Sequence, residues 1–226
     1  MKVGILFSGG KDSVYACHLA QMSDEVECLI TLISENEESY MFHTPNIDKC
    51  SLLAEAMDIP HIEWRTPGGK EAELDDLRDA IAHAIGEHGI EGIVTGAIES
   101  VYQASRVQRI CMGLDIWCFN PLWQMDQLGY LRKLAGDGFN VIISGIFAYP
   151  LDDSWLGRRI DAATIEDLSS LKDRYRINPS GEGGEYESMV LDGPNFKKRI
   201  EILDSETVYS NNSGILKIND IRVVKK

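Results

Sequence analysis

Positive charge is scarce in this sequence. Lys and Arg number 22 against 36 Asp and Glu, a formal net charge of −14 at pH 7. An extended nucleic-acid footprint needs a basic stripe to neutralise phosphates, so stable nucleic-acid binding is not expected, although a local basic patch is compatible with the composition. Long apolar runs are missing too. None approaches the ~20 residues that a membrane-spanning helix needs. The chain opens on a strand and not on a cleavable leader, so a cytoplasmic protein with no membrane partner is expected. Cysteine is limited to Cys17, Cys28, Cys50, Cys111 and Cys118, and no two form a C-x-x-C pair. An odd set without redox or metal spacing reads as reduced thiols acting as small buried hydrophobes. Internal repeats and low-complexity segments are absent. What is present suits a globular protein: 226 residues, 44% hydrophobic and 26% charged, enough for one or two domains.

The most informative stretch comes first. Lys2–Phe7 is a short apolar run of β character. Ser8-Gly9-Gly10-Lys11-Asp12-Ser13 follows directly, and Val14–Ala20 has helical character. A buried strand feeding a glycine turn and then a helix start makes an anion site. The glycines allow a tight turn and close approach of backbone to ligand. The N–H groups and dipole of the first helical turn favour negative charge. Ser8 and Ser13 add hydroxyls and Lys11 a point charge, so a phosphate chain is the expected guest. A Walker A loop is excluded, because Ile5 stands where its first glycine belongs and Asp12 follows the lysine. The stretch resembles the S-G-G-x-D-S signature of the PP-loop, or N-type, ATP pyrophosphatases, which cleave ATP between the α and β phosphates.

The rest of the first half alternates strand and helix. A helix is expected from about Asp12 to Met22, and a nearly continuous apolar strand over Glu27–Ile33, as in a sheet covered on both faces. Asn46 is placed to cap a helix over Ile47–Met57. Strands at His61–Arg65, Gly92–Thr95 and Asp115–Cys118 alternate with helices at Glu71–His88 and Ser100–Met112. This order predicts an α/β fold with a doubly wound parallel sheet; the resemblance to the PP-loop enzymes implies its adenine nucleotide alpha hydrolase-like form. Ligands should then sit beyond the C-terminal strand ends at the switch in strand order. The loop at Ser8–Ser13, the segment after Ile33 and Thr95-Gly96 can meet there.

After Pro121-Leu122-Trp123 the character changes. A helix over Met125–Ala135 and a strand over Asn140–Ser144 continue the alternation, then the pattern becomes irregular. Short helices near Ser154–Ile160 and Ile165–Arg174 precede strands at Ser188–Leu191, Lys198–Ser205 and Gly214–Val224. The expectation is an ATP-binding domain over 1–122 and a smaller C-terminal α+β domain over 123–226 that holds substrate at the mouth of the first.

Gly181-Glu182-Gly183-Gly184-Glu185-Tyr186-Glu187 crowds glycines and carboxylates as a plain turn would not. Beside a phosphate site, such negative charge suggests a metal or a cationic substrate. Tyr102, Gln103, Arg106 and Arg109 begin the helix after the fourth strand. Tyr102 and Arg106 share a helical face, a polar face suited to lie beside the α-phosphate. His43 and Trp155 are further substrate-facing candidates.

Taken together, Ser8–Ser13, Met41-Phe-His-Thr-Pro-Asn46, Gly96 with Tyr102-Gln-x-x-Arg106, Leu156-Gly-Arg158, Gly181–Glu187 and Leu191-Asp-Gly-Pro194 resemble the diphthine–ammonia ligase family in its short form. The resemblance implies a modified histidine on translation elongation factor 2 as substrate, carrying a carboxylate and a trimethylammonium group. ATP would adenylate the carboxylate and ammonia would displace AMP, giving diphthamide. No glutaminase signature is evident, so ammonium is the expected nitrogen source. The nucleotide would be held by Ser8, Gly9, Gly10, Lys11, Asp12, Ser13, Ile33 and Gly96, and the substrate by His43, Tyr102, Gln103, Trp155, Glu182, Glu185, Tyr186 and Glu187. Lys11, Asp12 and Arg106 are the candidate catalytic residues. Asp12 would orient either Lys11 or a Mg²⁺ ion, and the sequence does not choose between these. Carboxylates with an aromatic ring would suit the quaternary ammonium. A homodimer is compatible with the sequence, which specifies no oligomeric state. Competing readings are a PP-loop tRNA-modifying enzyme, disfavoured by charge and cysteine spacing, and a non-catalytic nucleotide-binding protein, which would have no use for the Gly181–Glu187 loop.

Overall fold

A computed structural model describes residues 1–35, 45–69 and 72–226. It divides into two compact units, Met1–Trp123 and Gln124–Lys226.

In the first unit, strands β1 (Lys2–Leu6), β2 (Glu25–Ser34), β3 (His61–Thr66), β4 (Gly92–Val94) and β5 (Trp117–Phe119) form one sheet in the order β3-β2-β1-β4-β5. Every pairing is parallel, as the alternation with helices α1 (Lys11–Ala20), α2 (Cys50–Met57), α3 (Ala72–His88) and α4 (Val101–Gly113) demands. One core includes Cys28, Ile30 and Leu32 of β2, Leu77 and Ile81 of α3, and Val107 and Cys111 of α4. The order runs one way from β1 to β3 and the other way from β4 to β5. The switch therefore lies between β1 and β4, and the loops after those two strands flank it.

The second unit holds α5 (Gln127–Gly136), α6 (Ala162–Tyr175) and strands β6 (Asn140–Ile146), β7 (Tyr186–Asp192), β8 (Lys198–Ser210) and β9 (Ser213–Lys225). Its sheet is antiparallel, in the order β7-β6-β9-β8. The expected class, a parallel α/β sheet with a separate α+β part, is thus observed. One element departs from expectation. The strand beginning at Asn140 does not extend the α/β alternation but pairs antiparallel with β7 and β9.

Asn46 also departs from expectation. It adopts a left-handed conformation, φ 64°, and makes no side-chain cap; the helix opens instead with a short 3₁₀ turn, Ile47–Lys49. An N-cap needs an extended backbone to aim its side chain at the next N–H groups, and the left-handed one aims it elsewhere. The cysteines behave as small hydrophobes: all five are unbridged and only Cys118 is partly exposed. Burial pushes the Cys28 and Cys50 thiols up to about 12. Among the described residues no helix is long and apolar enough to cross a membrane.

Candidate functional site

β1 delivers the chain to the centre of its sheet, and the Ser8–Ser13 loop turns it into α1. Gly9 takes φ 73°, and a Cβ there would meet Leu53 Cδ2 at 2.9 Å, so backbone and space both require glycine. The loop is braced from within. The Ser8 backbone N–H donates to Ser13 Oγ at 3.2 Å, and Ser13 Oγ donates to the Gly10 carbonyl at 3.1 Å. The two serine hydroxyl oxygens stand 3.3 Å apart. Its entrance is tied to the neighbouring strands. Thr31 Oγ1 donates to the Phe7 carbonyl at 2.7 Å and in turn lies 2.8 Å from His61 Nε2.

The starts of α1 and α2 carry no side-chain cap, unlike those of α4, α5 and α6. Ser100, Asp126 and Asp161 accept backbone N–H groups at the starts of α4, α5 and α6, whereas Gly10 supplies no side-chain cap. An anion seated at Gly10 would do what those side chains do elsewhere.

Lys11 is buried. Its side chain is 3% exposed against 30% for Asp12, and the ammonium donates to Asp12 Oδ2 at 2.9 Å. This is the contact that orienting Lys11 would need, and it leaves the choice between that role and a metal ion open. Gly96, just beyond β4, lies against the same turn: a Cβ there would come within 2.7 Å of the Asp12 carbonyl carbon and 2.8 Å of the Ser13 nitrogen. Ser8, Gly9, Gly10, Lys11, Asp12, Ser13 and Gly96 are thus brought together at the sheet's switch point. Ile33 lies buried on β2. Tyr102 and Arg106 do share a face, with the guanidinium 3.4 Å from the ring centroid and Nη1 donating to the Tyr102 carbonyl at 3.3 Å. Gln103 is half-buried beside them and Arg109 is exposed. His43 lies outside the described residues.

The Gly181–Glu187 loop has a different construction. Glu185 is buried, and its carboxylate is turned onto its own segment. Oε1 accepts the Asn178 backbone N–H at 2.8 Å and the Asn178 amide at 2.9 Å, and Oε2 accepts the Gly183 N–H at 2.9 Å. Tyr186 is also buried and its hydroxyl donates to the Pro179 carbonyl at 2.8 Å. Gly181 takes φ 76° and lies where a Cβ would meet the Tyr186 carbonyl oxygen at 2.6 Å. Trp155 is buried, with the Arg158 guanidinium 4.6 Å from its ring centroid. Three members of the expected cation-binding set thus make contacts within the chain. Glu185 and Tyr186 hold the loop in shape, and Trp155 carries an internal cation on its ring. Glu182 and Glu187 are half-buried.

Residues 1–116 match the family described as diphthamide synthase N-terminal domain, and residues 126–224 the diphthamide synthase C-terminal domain. The chain belongs to the diphthine–ammonia ligase family. Three relatives carry the name diphthine–ammonia ligase. The one from Schizosaccharomyces pombe is 35% identical over 92% of this chain and 37% of its own length. That from Danio rerio is 30% identical over 100% of this chain and 95% of its own. That from Homo sapiens is 34% identical over 92% and 85%. The chain therefore spans little more than a third of the first relative and nearly all of the second. Family membership makes it an AMP-forming carbon–nitrogen ligase.

Sequence reasoning about this ligase missed two sets of supports. Thr95 Oγ1 donates to Asn120 Oδ1 and accepts the Ala97 N–H at 3.2 Å, which fixes the turn that presents Gly96. Gln127 accepts the Ser180 hydroxyl at 2.8 Å and its backbone N–H at 3.2 Å, which anchors the second loop to α5. Such residues give no motif of their own. The only signal was Asn178-Pro179-Ser180, a turn-forming run just before the glycines.

Proposed function

We propose that the protein converts diphthine on translation elongation factor 2 to diphthamide, using ATP and ammonium through an acyl-adenylate. A carboxylate oxygen of the substrate attacks the α-phosphorus of ATP, and pyrophosphate leaves. Ammonia then attacks the acyl carbon, AMP departs with the carboxylate oxygen, and the added nitrogen releases its surplus proton to water.

The uncapped start of α1, set beside Gly96 at the switch between β1 and β4, is the observation that carries this reading. Ser8 and Ser13 offer hydroxyl donors there, and Lys11 is held ready by Asp12 to meet the charge that builds on the departing pyrophosphate. Arg106, already oriented by Tyr102, serves the charge on the α-phosphate. Mg²⁺ suits this donor set. Among the described residues no group of three or more His, Cys, Asp or Glu could hold a metal, but Mg²⁺ is usually held by one or two carboxylates together with substrate phosphates and water. Asp12 supplies that carboxylate. When bound, the ion neutralises phosphate charge.

The test is product analysis with ATP, ammonium and an elongation factor 2 carrying the unamidated histidine. AMP and pyrophosphate should form in equal amounts, only with that carrier. ADP and orthophosphate as the products would overturn the proposal. Bulk tRNA should neither bind at physiological salt nor raise AMP formation; stimulation by tRNA would favour the tRNA-modifying reading.

A further inference from the structure

Glu185, Tyr186 and Trp155 are engaged in contacts within the chain. The face next to the glycine loop offers another set of rings. β6 ends at Ile146, opposite Tyr186, and the Phe147 N–H then donates to the Glu185 carbonyl at 2.9 Å. Two residues further on stands Tyr149. Its ring meets Tyr175, the last residue of α6, edge to face: the centroids are 5.4 Å apart and the planes at 86°. Tyr149 is 66% exposed and Phe147 41%. Tyr175 leads within three residues to Asn178, whose N–H groups hold Glu185. The aromatic pair and the acidic loop are therefore continuous parts of one unit.

Two rings at right angles form half of an aromatic cage, and a large exposed aromatic surface needs a reason. Its chemistry points to a cation. The Arg174 guanidinium already lies 5.1 Å from the Tyr175 ring centroid, so one ring attracts an internal positive charge. Tyr149 is the more exposed ring of the pair, and exposed Asp152 and Asp153 follow it closely in the chain. An exposed ring followed by carboxylates in the chain favours a bulky, weakly hydrated alkylammonium. We infer that Tyr149 and Tyr175 form a receptor for a quaternary ammonium group and set the ligase's specificity for a cationic substrate. This rests on the amidation proposed above, and it transfers the cation contact from Tyr186 and Trp155 to these two tyrosines.

The test uses the full chain and two small probes, choline and its neutral isostere 3,3-dimethylbutan-1-ol. Choline should bind saturably and compete with the carrier, whereas the isostere should bind at least about fivefold more weakly, because only the charge differs. Tyr149→Ala should weaken choline about three- to fivefold and raise the carrier KM similarly without changing ATP affinity, and Tyr149→Phe should restore most of both. Arg174→Gln removes a like charge and should tighten choline about twofold. Thermal melts of each variant should match that of the unaltered protein, since the substituted side chains are exposed or partly so. Absence of saturable choline binding, equal binding of the isostere, or a Tyr149→Ala enzyme with wild-type carrier KM would overturn the inference. The two proposals fail separately. Normal carrier-dependent AMP release with an unchanged Tyr149→Ala KM leaves the reaction standing and removes the receptor. Selective choline binding without AMP from any carrier leaves the receptor and removes the reaction.

Discussion

Two glycine-rich loops, one in each unit, spend their polar groups in opposite directions. In Ser8–Ser13 the helix start has no side-chain cap, and two hydroxyls stand together with a lysine braced by its neighbour. In Gly181–Glu187 the most buried carboxylate collects three N–H donors from its own segment. The first loop is braced within itself by its serines, and its helix start carries no side-chain cap. The second is shaped by its own charge. Abundance of charged residues in a loop therefore says little about ligand contact until the direction of each group is known.

The largest expected effect breaks the first loop. Lys11→Ala should lower carrier-dependent AMP release about 100-fold, equivalent to about 2.7 kcal/mol of barrier. A folded variant with wild-type adenylation kinetics would remove Lys11 from the chemistry. Next comes the second loop. Glu185→Gln replaces an acceptor by an NH₂ donor that must face an N–H, leaving buried groups unsatisfied at a cost of about 2 kcal/mol. Denaturant unfolding of the second unit should register that loss while ATP affinity stays unchanged. Unaltered stability with a raised carrier KM would return Glu185 to the substrate.

A smaller effect sharpens the contrast. Gly96→Ala forces a methyl to within 2.7 Å of the Asp12 carbonyl carbon, displacing the start of α1. ATP affinity should fall about tenfold, about 1.4 kcal/mol, measured by titration. Wild-type affinity would mean that the two loops of the first unit are not mechanically joined. The smallest effect concerns His61, which reaches the first loop through Thr31. Burial lowers its pKa below the ordinary 6.5, with Glu63 opposing. The folded state thus disfavours protonation, so stability should be constant above about pH 6.5 and fall as the pH drops below it. His61→Gln should flatten that part of the pH–stability curve; an identical slope in the variant would assign it to other groups.

Several of these features were legible beforehand. The apolar runs at Lys2–Phe7 and Glu27–Ile33 belong to strands buried on both faces, and such strands look alike in any parallel sheet. The Ser8–Ser13 loop was legible because its geometry is local: strand, glycine and helix start are contiguous. Asn140–Ile146 was misread because an apolar strand looks the same whether its partners are parallel or antiparallel, and those partners lie far along the chain at β7 and β9. Asn46 was misread because a capping residue type does not dictate the backbone angle that makes capping work.

By itself, then, the sequence determined what is set within a few residues: the phosphate loop, the strand and helix alternation, the acidic glycine run, and through their combination the family. Tertiary structure alone decided which way Glu185 and Tyr186 point, how deeply Lys11 is buried, and that Tyr149 meets Tyr175. The physical reason is the range of the forces. Backbone turns and periodicity follow from neighbouring residues, whereas a buried carboxylate or ring takes the partners that satisfy it most fully, and only the folded chain brings those within 3 Å or so of one another.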